Sequence, residues 1–98
     1  MEILRRRKLL DFMASGDAKA RKLSPACLED TEEAEWRGTM DVRTRHPRAD
    51  FLPGNRVIFN LGGNDYRLVT EIDSERQVVI LRWVGYHKDY NKIDARTA

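Results

Sequence analysis

The chain lacks most of what a disulfide-stapled, metal-binding or membrane-spanning protein requires. Its 98 residues include one cysteine, Cys27, which excludes an internal disulfide, and no CxxC pair or Cys/His ladder that would hold zinc. No apolar run approaches the roughly 20 residues that a membrane helix needs. The first residues, MEILRRRKLLDF, have no apolar run of signal-peptide length. These absences predict a cytoplasmic protein with no structural metal and no cofactor.

The composition is that of one globular domain. Charged residues make up 35% and hydrophobic residues 41%, well outside the disordered range. We therefore expect residues 1–98 to form a single domain, since a chain of this size buries one core and not two. The net charge is only +2, but residues 5–8 are all basic and residues 29–35 are rich in acids. This separation suits a basic face for nucleic acid, although charge alone favours a solvated surface without a partner.

The first half of the chain has helical spacing. After MEIL, which is a short strand or lead-in, apolar Leu9, Phe12 and Met13 recur on one helical face. Gly16 is a stop signal. A short first helix is therefore predicted.

Further start signals follow this helix. Asp17 and the pair Ser24-Pro25 can each begin a helix, so the next segment is either one kinked helix or two turns and a helix. Thr39 is expected to cap a short helical turn that ends before Pro47.

The second half has the pattern of strands. Three apolar, β-branched and aromatic runs lie within NRVIFNLGGNDYRLVTEIDSERQVVILRWVG, separated by GGND and DSER. Such runs predict an antiparallel meander. The predicted class is α+β, with N-terminal helices packed on a small antiparallel sheet.

The second predicted turn brings two arginines together. If the turn is Asp73–Arg76, the ladder sets Arg67 opposite Arg82. Like charges facing each other destabilise a sheet, so the pair calls for a carboxylate or an external anion. Phosphate matches the forked guanidinium geometry. The structural alternative is that Glu71 or an acid of the helices neutralises one arginine.

The first turn leaves two registers open. A four-residue loop, Gly62–Asp65, sets Asn60 beside Arg67, whereas a two-residue loop sets Ile58 there. With the longer loop, Asn60, Arg67 and Arg82 form a polar row across otherwise apolar strands.

The segment RWVGYHKDYNKID concentrates reactive groups after the last strand. His87 can exchange a proton near neutral pH, Tyr90 offers a hydroxyl and a stacking face, and Lys92 is a compact cation. They are either an exposed tail or a site that acts on a phosphodiester.

Most large aromatics are expected in the core. Trp36 and Trp83 lie at the edges of apolar elements, and Tyr66 alternates with core positions, which leaves Arg67 on the other face. His46, before a proline, is predicted to be a surface loop residue.

Several motifs resemble a known family. NRVIFN, NDYRLV, the strand ending RWVG, and HKDYNKID resemble the HigB family of type II toxins, part of the RelE-like group. The resemblance covers nearly the whole chain, and residues 55–94 carry its specific part. It implies a RelE/ParE-like fold and an endoribonuclease that cleaves mRNA in the ribosomal A site. It also implies a cognate HigA-type antitoxin with a helix-turn-helix domain.

The resemblance assigns roles to residues. Arg67 in YRL matches the arginine that the family places at the scissile phosphate. His87, two residues after Gly85, occupies the position where RelE has an arginine. Tyr90 stands in for the C-terminal tyrosine of RelE. The lysines that RelE carries before YRL are absent. The predicted catalytic residues are Arg67, Arg82, His87, Tyr90 and Lys92, without a metal, and the predicted RNA-binding residues are Asn60, Arg56 and Lys88.

Two rival functions remain compatible with the sequence. The same basic row could serve a non-catalytic RNA- or ribosome-binding module. A related fold could also inhibit a different target, such as gyrase.

Overall fold

The computed structural model describes residues 1–16, 18–62 and 65–95. The helices are α1 (Arg6–Ser15), α2 (Ala18–Glu33), α3 (Thr39–Arg45) and α4 (His87–Tyr90). The strands are β1 (Glu2–Leu4), β2 (Asp50–Leu52), β3 (Arg56–Leu61), β4 (Tyr66–Asp73) and β5 (Val78–Tyr86).

The sheet is mixed, which corrects the prediction of a purely antiparallel one. Five strands run in the order β1-β5-β4-β3-β2, and β3, β4 and β5 form the predicted antiparallel meander. The lead-in MEIL is an edge strand parallel to β5, with Ile3 opposite Val79. A parallel pair needs a long crossover, which the helices and the meander supply. The α+β class is confirmed.

The apolar spacing predicted the helices better than the helix-start signals did. The second segment is one helix, α2, with Pro25 in its interior. Gly38 is the N-cap of α3 and no side chain caps it, so the prediction that Thr39 caps this helix is wrong. Asp17 lies outside the described residues. No helix in the described part of the chain combines the length and the hydropathy of a membrane-spanning segment.

The main core lies between the helices and one face of the sheet. It contains Leu9 of α1, Val42 of α3 and Trp36, which lies between α2 and α3. These side chains pack against inward-facing residues of the strands. Phe12 packs edge-on against Tyr66, with ring centroids 5.8 Å apart. The core positions predicted for Trp36 and Tyr66 are confirmed. The opposite face of the sheet points away from the helices of this core, and we call it the second face.

His46 is not the simple surface residue that the sequence predicts. Its ring centroid lies 4.8 Å from that of Phe59 and 5.7 Å from that of Trp36. Its Nε2 lies 3.4 Å from an oxygen of Asp30. The His46 ring therefore packs the C-terminal end of α3 against the edge of the core.

The second face has a small core of its own. Ile58 and Val69 are both fully buried there, although they face away from the helices. The C-terminal segment, residues 90–95, covers them together with Trp83. Burying one such aliphatic side chain is worth about 1.5–3 kcal/mol, so this cover contributes measurably to stability.

Candidate functional site

One polar row crosses the second face. Asn60 of β3 pairs with Arg67 of β4, and Arg67 pairs with Gly85 of β5. The register with a four-residue first loop is therefore confirmed. A Cβ built on Gly85 would lie 2.7 Å from the ring of Trp83, so a glycine leaves room for that ring.

Arg67 is a half-buried cation with incomplete partners. Its guanidinium carbon lies 4.5 Å from the centre of the Tyr90 ring, within the range of a cation–π contact. Its Nη1 lies 3.5 Å from Asp50, whose side chain is 58% exposed against 18% for Arg67. At that length the contact is a weak ion pair, which leaves donors available to an anion.

Buried polar atoms without partners mark this face. In the described residues, three buried side-chain atoms have no hydrogen-bond partner: Asn60 Oδ1, Arg67 Nε and Arg82 Nε. All three belong to residues that the sequence predicts for the site. Native structures satisfy most buried polar groups, so each exception marks a site of strain, of an ordered water or ion, or of function.

Asn60 couples the row to the connection between α3 and β2. Its Nδ2 donates to the Arg48 carbonyl at 3.0 Å. Its unpartnered oxygen and the unpartnered Nε of Arg67 belong to directly opposite residues, whose Cα atoms are about 5 Å apart.

The predicted pairing of Arg67 with Arg82 is wrong. The turn has the predicted length but lies one residue later, at Ser74–Gln77, since Asp73 already pairs with Val78; this shifts the register by two residues, and a bulge at Val69/Thr70 adds a further residue on β5. Arg82 therefore lies three residues from the position opposite Arg67, roughly 10 Å along the strand.

Arg82 instead belongs to a separate ionic cluster. Its Nη2 donates to Glu71 at 2.8 Å, and Arg56 approaches the same oxygen at 3.8 Å. The alternative in which Glu71 neutralises an arginine is therefore correct for Arg82. The buried row of Ile58 and Val69 separates this Glu71 cluster from Arg67.

Tyr90 contacts Arg67 on the second face, and His87 follows directly after β5. Tyr90 packs between Arg67 and Trp83, whose ring centroid lies 6.2 Å away. The His87 amide donates to the Asp65 carbonyl at 2.9 Å, which extends the β4–β5 ladder by one pair. His87 is also the first residue of α4, and it follows by two residues Gly85, which lies opposite Arg67.

The two lysines of this segment do not contact Arg67. Lys92 is 78% exposed and lies 3.6 Å from Asp89. Lys88 lies over the Tyr86 ring, which packs against Phe12 on the helical side of the sheet. Lys88 therefore faces away from the row.

Sequence reasoning missed Asp50 and Arg48. β2 has three residues and no alternating run long enough to predict a strand, so nothing signalled that Asp50 would lie near Arg67. Arg48 takes part through a backbone carbonyl, which side-chain patterns do not reveal.

Perturbed side chains lie beside the site. Hydrogen bonds from Arg45 lower the pKa of Asp30. Burial lowers the pKa of His46, against the opposing pull of Asp30. Burial outweighs Asp30, whose oxygen lies 3.4 Å from the His46 Nε2, so the pKa of His46 lies below its ordinary value. In residues 1–16, 18–62 and 65–95 there is no group of three or more Cys, His, Asp or Glu side chains that could hold a metal ion.

The fold is that of a small α+β protein with a mixed five-stranded sheet and a half-buried arginine on its second face. Residues 22–93 match the family model of the HigB toxins, described as the RelE-like toxic component of a toxin–antitoxin system. The chain therefore belongs to the HigB toxin family, which confirms the resemblance and implies an antitoxin as partner. No curated protein matches the chain significantly.

Proposed function

We propose that this chain is an endoribonuclease that cleaves mRNA on the ribosome and so stops translation. A HigA-type antitoxin with a helix-turn-helix domain would neutralise it. We also propose that residues 1–98 act as one domain in the cytoplasm, where ribosomes translate. The observation that carries the proposal is the set of unpartnered buried atoms on Asn60, Arg67 and Arg82.

Arg67 is proposed to hold the scissile phosphate. Cleavage of RNA by its own 2′-hydroxyl needs a base, a group that stabilises the charged phosphorane, and an acid for the leaving 5′-oxygen. A guanidinium matches phosphate oxygens in a fork, and its low exposure strengthens the interaction. The exposed Asp50 carboxylate would turn into solvent as phosphate binds.

His87 and Tyr90 are proposed to transfer the protons. Histidine is a common proton-transfer group near neutral pH, and the His87 backbone lies two residues beyond Gly85, the residue opposite Arg67. Tyr90 is already held against the Arg67 guanidinium, so its hydroxyl can reach a phosphate bound there. The reaction is assigned to these side chains without a metal ion.

The remaining cations are proposed to bind the RNA backbone. Lys92 and Lys88 are exposed at the end of the chain, and Arg56 and Arg82 share Glu71 on the second face. Lys92 is proposed either to bind the phosphate or to stabilise the leaving 5′-oxygen. Contacts of this kind give affinity that is independent of sequence and falls with salt.

A non-catalytic module that binds RNA or the ribosome is the second candidate. It is favoured by one observation, since no contact joins His87 to Arg67 in the described residues. Catalytic contacts are often loose before substrate binds, which keeps the enzyme ahead.

The test is a cell-free translation reaction that receives the purified protein, beside the same transcript without ribosomes. New mRNA 5′ ends on the translated transcript alone support the proposal. Stalled translation without new ends supports the binding module. Brisk cleavage of the naked transcript contradicts dependence on the ribosome.

A further inference from the structure

A pocket lies at the edge of β3 beyond the end of β2. β2 pairs with β3 as far as Asp50 and Ile58, and β3 continues to Leu61. The chain from Arg45 to Ala49 runs along the uncovered edge and encloses a cavity of about 280 Å³ with Phe59 and Asn60. We call this cavity the edge pocket.

The edge pocket is joined to Arg67 through one residue. Asn60 lines the pocket, donates to the Arg48 carbonyl at 3.0 Å, and pairs across the ladder with Arg67. Arg67 and the pocket are therefore neighbours, with about 5 Å between the paired Cα atoms. Asn60 is thus the physical link between Arg67 on the second face and the pocket at the strand edge.

The lining has the chemistry of a nucleotide site. His46 is 33% exposed and its ring packs against Phe59 at 4.8 Å, so an aromatic surface faces the cavity. Arg48 is exposed at the rim, and Arg45 is paired with Asp30. The described residues that line the cavity include no acid. Aromatic rings for bases and cations for phosphates are the usual elements of single-stranded nucleic-acid sites.

We propose that the edge pocket binds the nucleotide next to the phosphate held by Arg67, with its base against His46 and its phosphate at Arg48. The inference rests on the proposed function for the identity of the ligand at Arg67. It adds a second nucleotide site, and with it a source of preference for the sequence around the cut.

The test uses a six-nucleotide single-stranded DNA, which lacks the 2′-hydroxyl and so binds without being cut. Amide NMR of the full chain should show shifts at His46, Arg48 and Ala49 together with Asn60 and Arg67. Arg48→Glu should weaken binding about tenfold or more in a fluorescence anisotropy titration, because it reverses a charge at the phosphate. Arg76→Glu is the matched control, since Arg76 is 83% exposed in the β4–β5 turn.

Each outcome decides the inference. Shifts confined to Arg67, equal weakening by Arg48→Glu and Arg76→Glu, or no binding of the DNA at low salt would overturn it. Binding in the pocket by a protein that leaves translated mRNA intact would support the pocket and sink the nuclease. Cleavage of translated mRNA with no shift at residues 46–49 would support the nuclease and overturn the pocket.

Discussion

The ion pair between Arg82 and Glu71 allows a quantitative test of the second face. The Arg82 Nη2 lies 2.8 Å from the Glu71 carboxylate, and the side chains are 21% and 33% exposed. Arg56, with 11% of its side chain exposed, approaches the same oxygen. One carboxylate therefore serves two half-buried guanidinium groups.

Glu71→Gln keeps the shape and one acceptor oxygen but removes the charge. A hydrogen bond to a charged group contributes about 1.5–3 kcal/mol, so we expect the free energy of unfolding to fall by about 2 kcal/mol. In a domain of this size that corresponds to a Tm lower by roughly 10 °C. Urea unfolding and calorimetry would measure both quantities.

A double-mutant cycle isolates the pair. Arg82→Met removes the partner charge while retaining a long apolar side chain, and the double variant with Glu71→Gln should cost less than the sum of the two single changes. A Tm for Glu71→Gln within 2 °C of wild type, on the scale of about 5 °C per kcal/mol, would refute the reasoning. So would additive effects in the cycle.

Three other perturbations have definite expected results. Gly85→Ala sets a methyl 2.7 Å from the Trp83 ring, so the ring must move and unfolding should become easier by about 1–3 kcal/mol, as measured in urea. Burial lowers the pKa of His46, so only the unfolded chain takes up this proton below about pH 6.5. The free energy of unfolding should therefore fall as the pH drops below that value in wild type and in His87→Gln, but not in His46→Gln. Burial raises the pKa of Cys27 to about 11, so alkylation by iodoacetamide at pH 8 should be about 100-fold slower in the folded chain than in urea.

Contrary results would have clear meanings. Unchanged stability of Gly85→Ala would mean that the ring of Trp83 has room elsewhere. If the pH dependence of stability disappeared in His87→Gln, its assignment to His46 would be wrong. Equal alkylation rates in buffer and urea would show that Cys27 is not protected.

The sequence predicted that the first hairpin exists and that Arg67 faces away from the helices, because both follow from local rules, but it left two registers of that hairpin open. Side chains alternate along β4, and the loop length fixes Asn60 beside Arg67. It did not predict the position of Arg82, because the bulge occurs within LRWV, where no glycine or proline announces it. Register errors accumulate from the turn outward, so a turn that begins one residue later than predicted, together with one bulge, moved Arg82 three positions from the row.

Contacts between distant segments were the other gap. β1 and β2 have three residues each, too few for a periodic signal. Asp50 reaches Arg67 only because β2 pairs with β3, and the His46 ring is held by Trp36 across the core. Such contacts depend on how elements pack and not on their local spacing.

The most direct test of the central claim is the mapping of mRNA 5′ ends by primer extension in a translation reaction. Wild type is compared with Arg67→Ala and with Arg76→Ala, an arginine in the β4–β5 turn that carries the same change of charge. We predict new ends within codons for wild type and Arg76→Ala, and about 100-fold less cleavage for folded Arg67→Ala. Cleavage near the wild-type rate by folded Arg67→Ala would contradict the account.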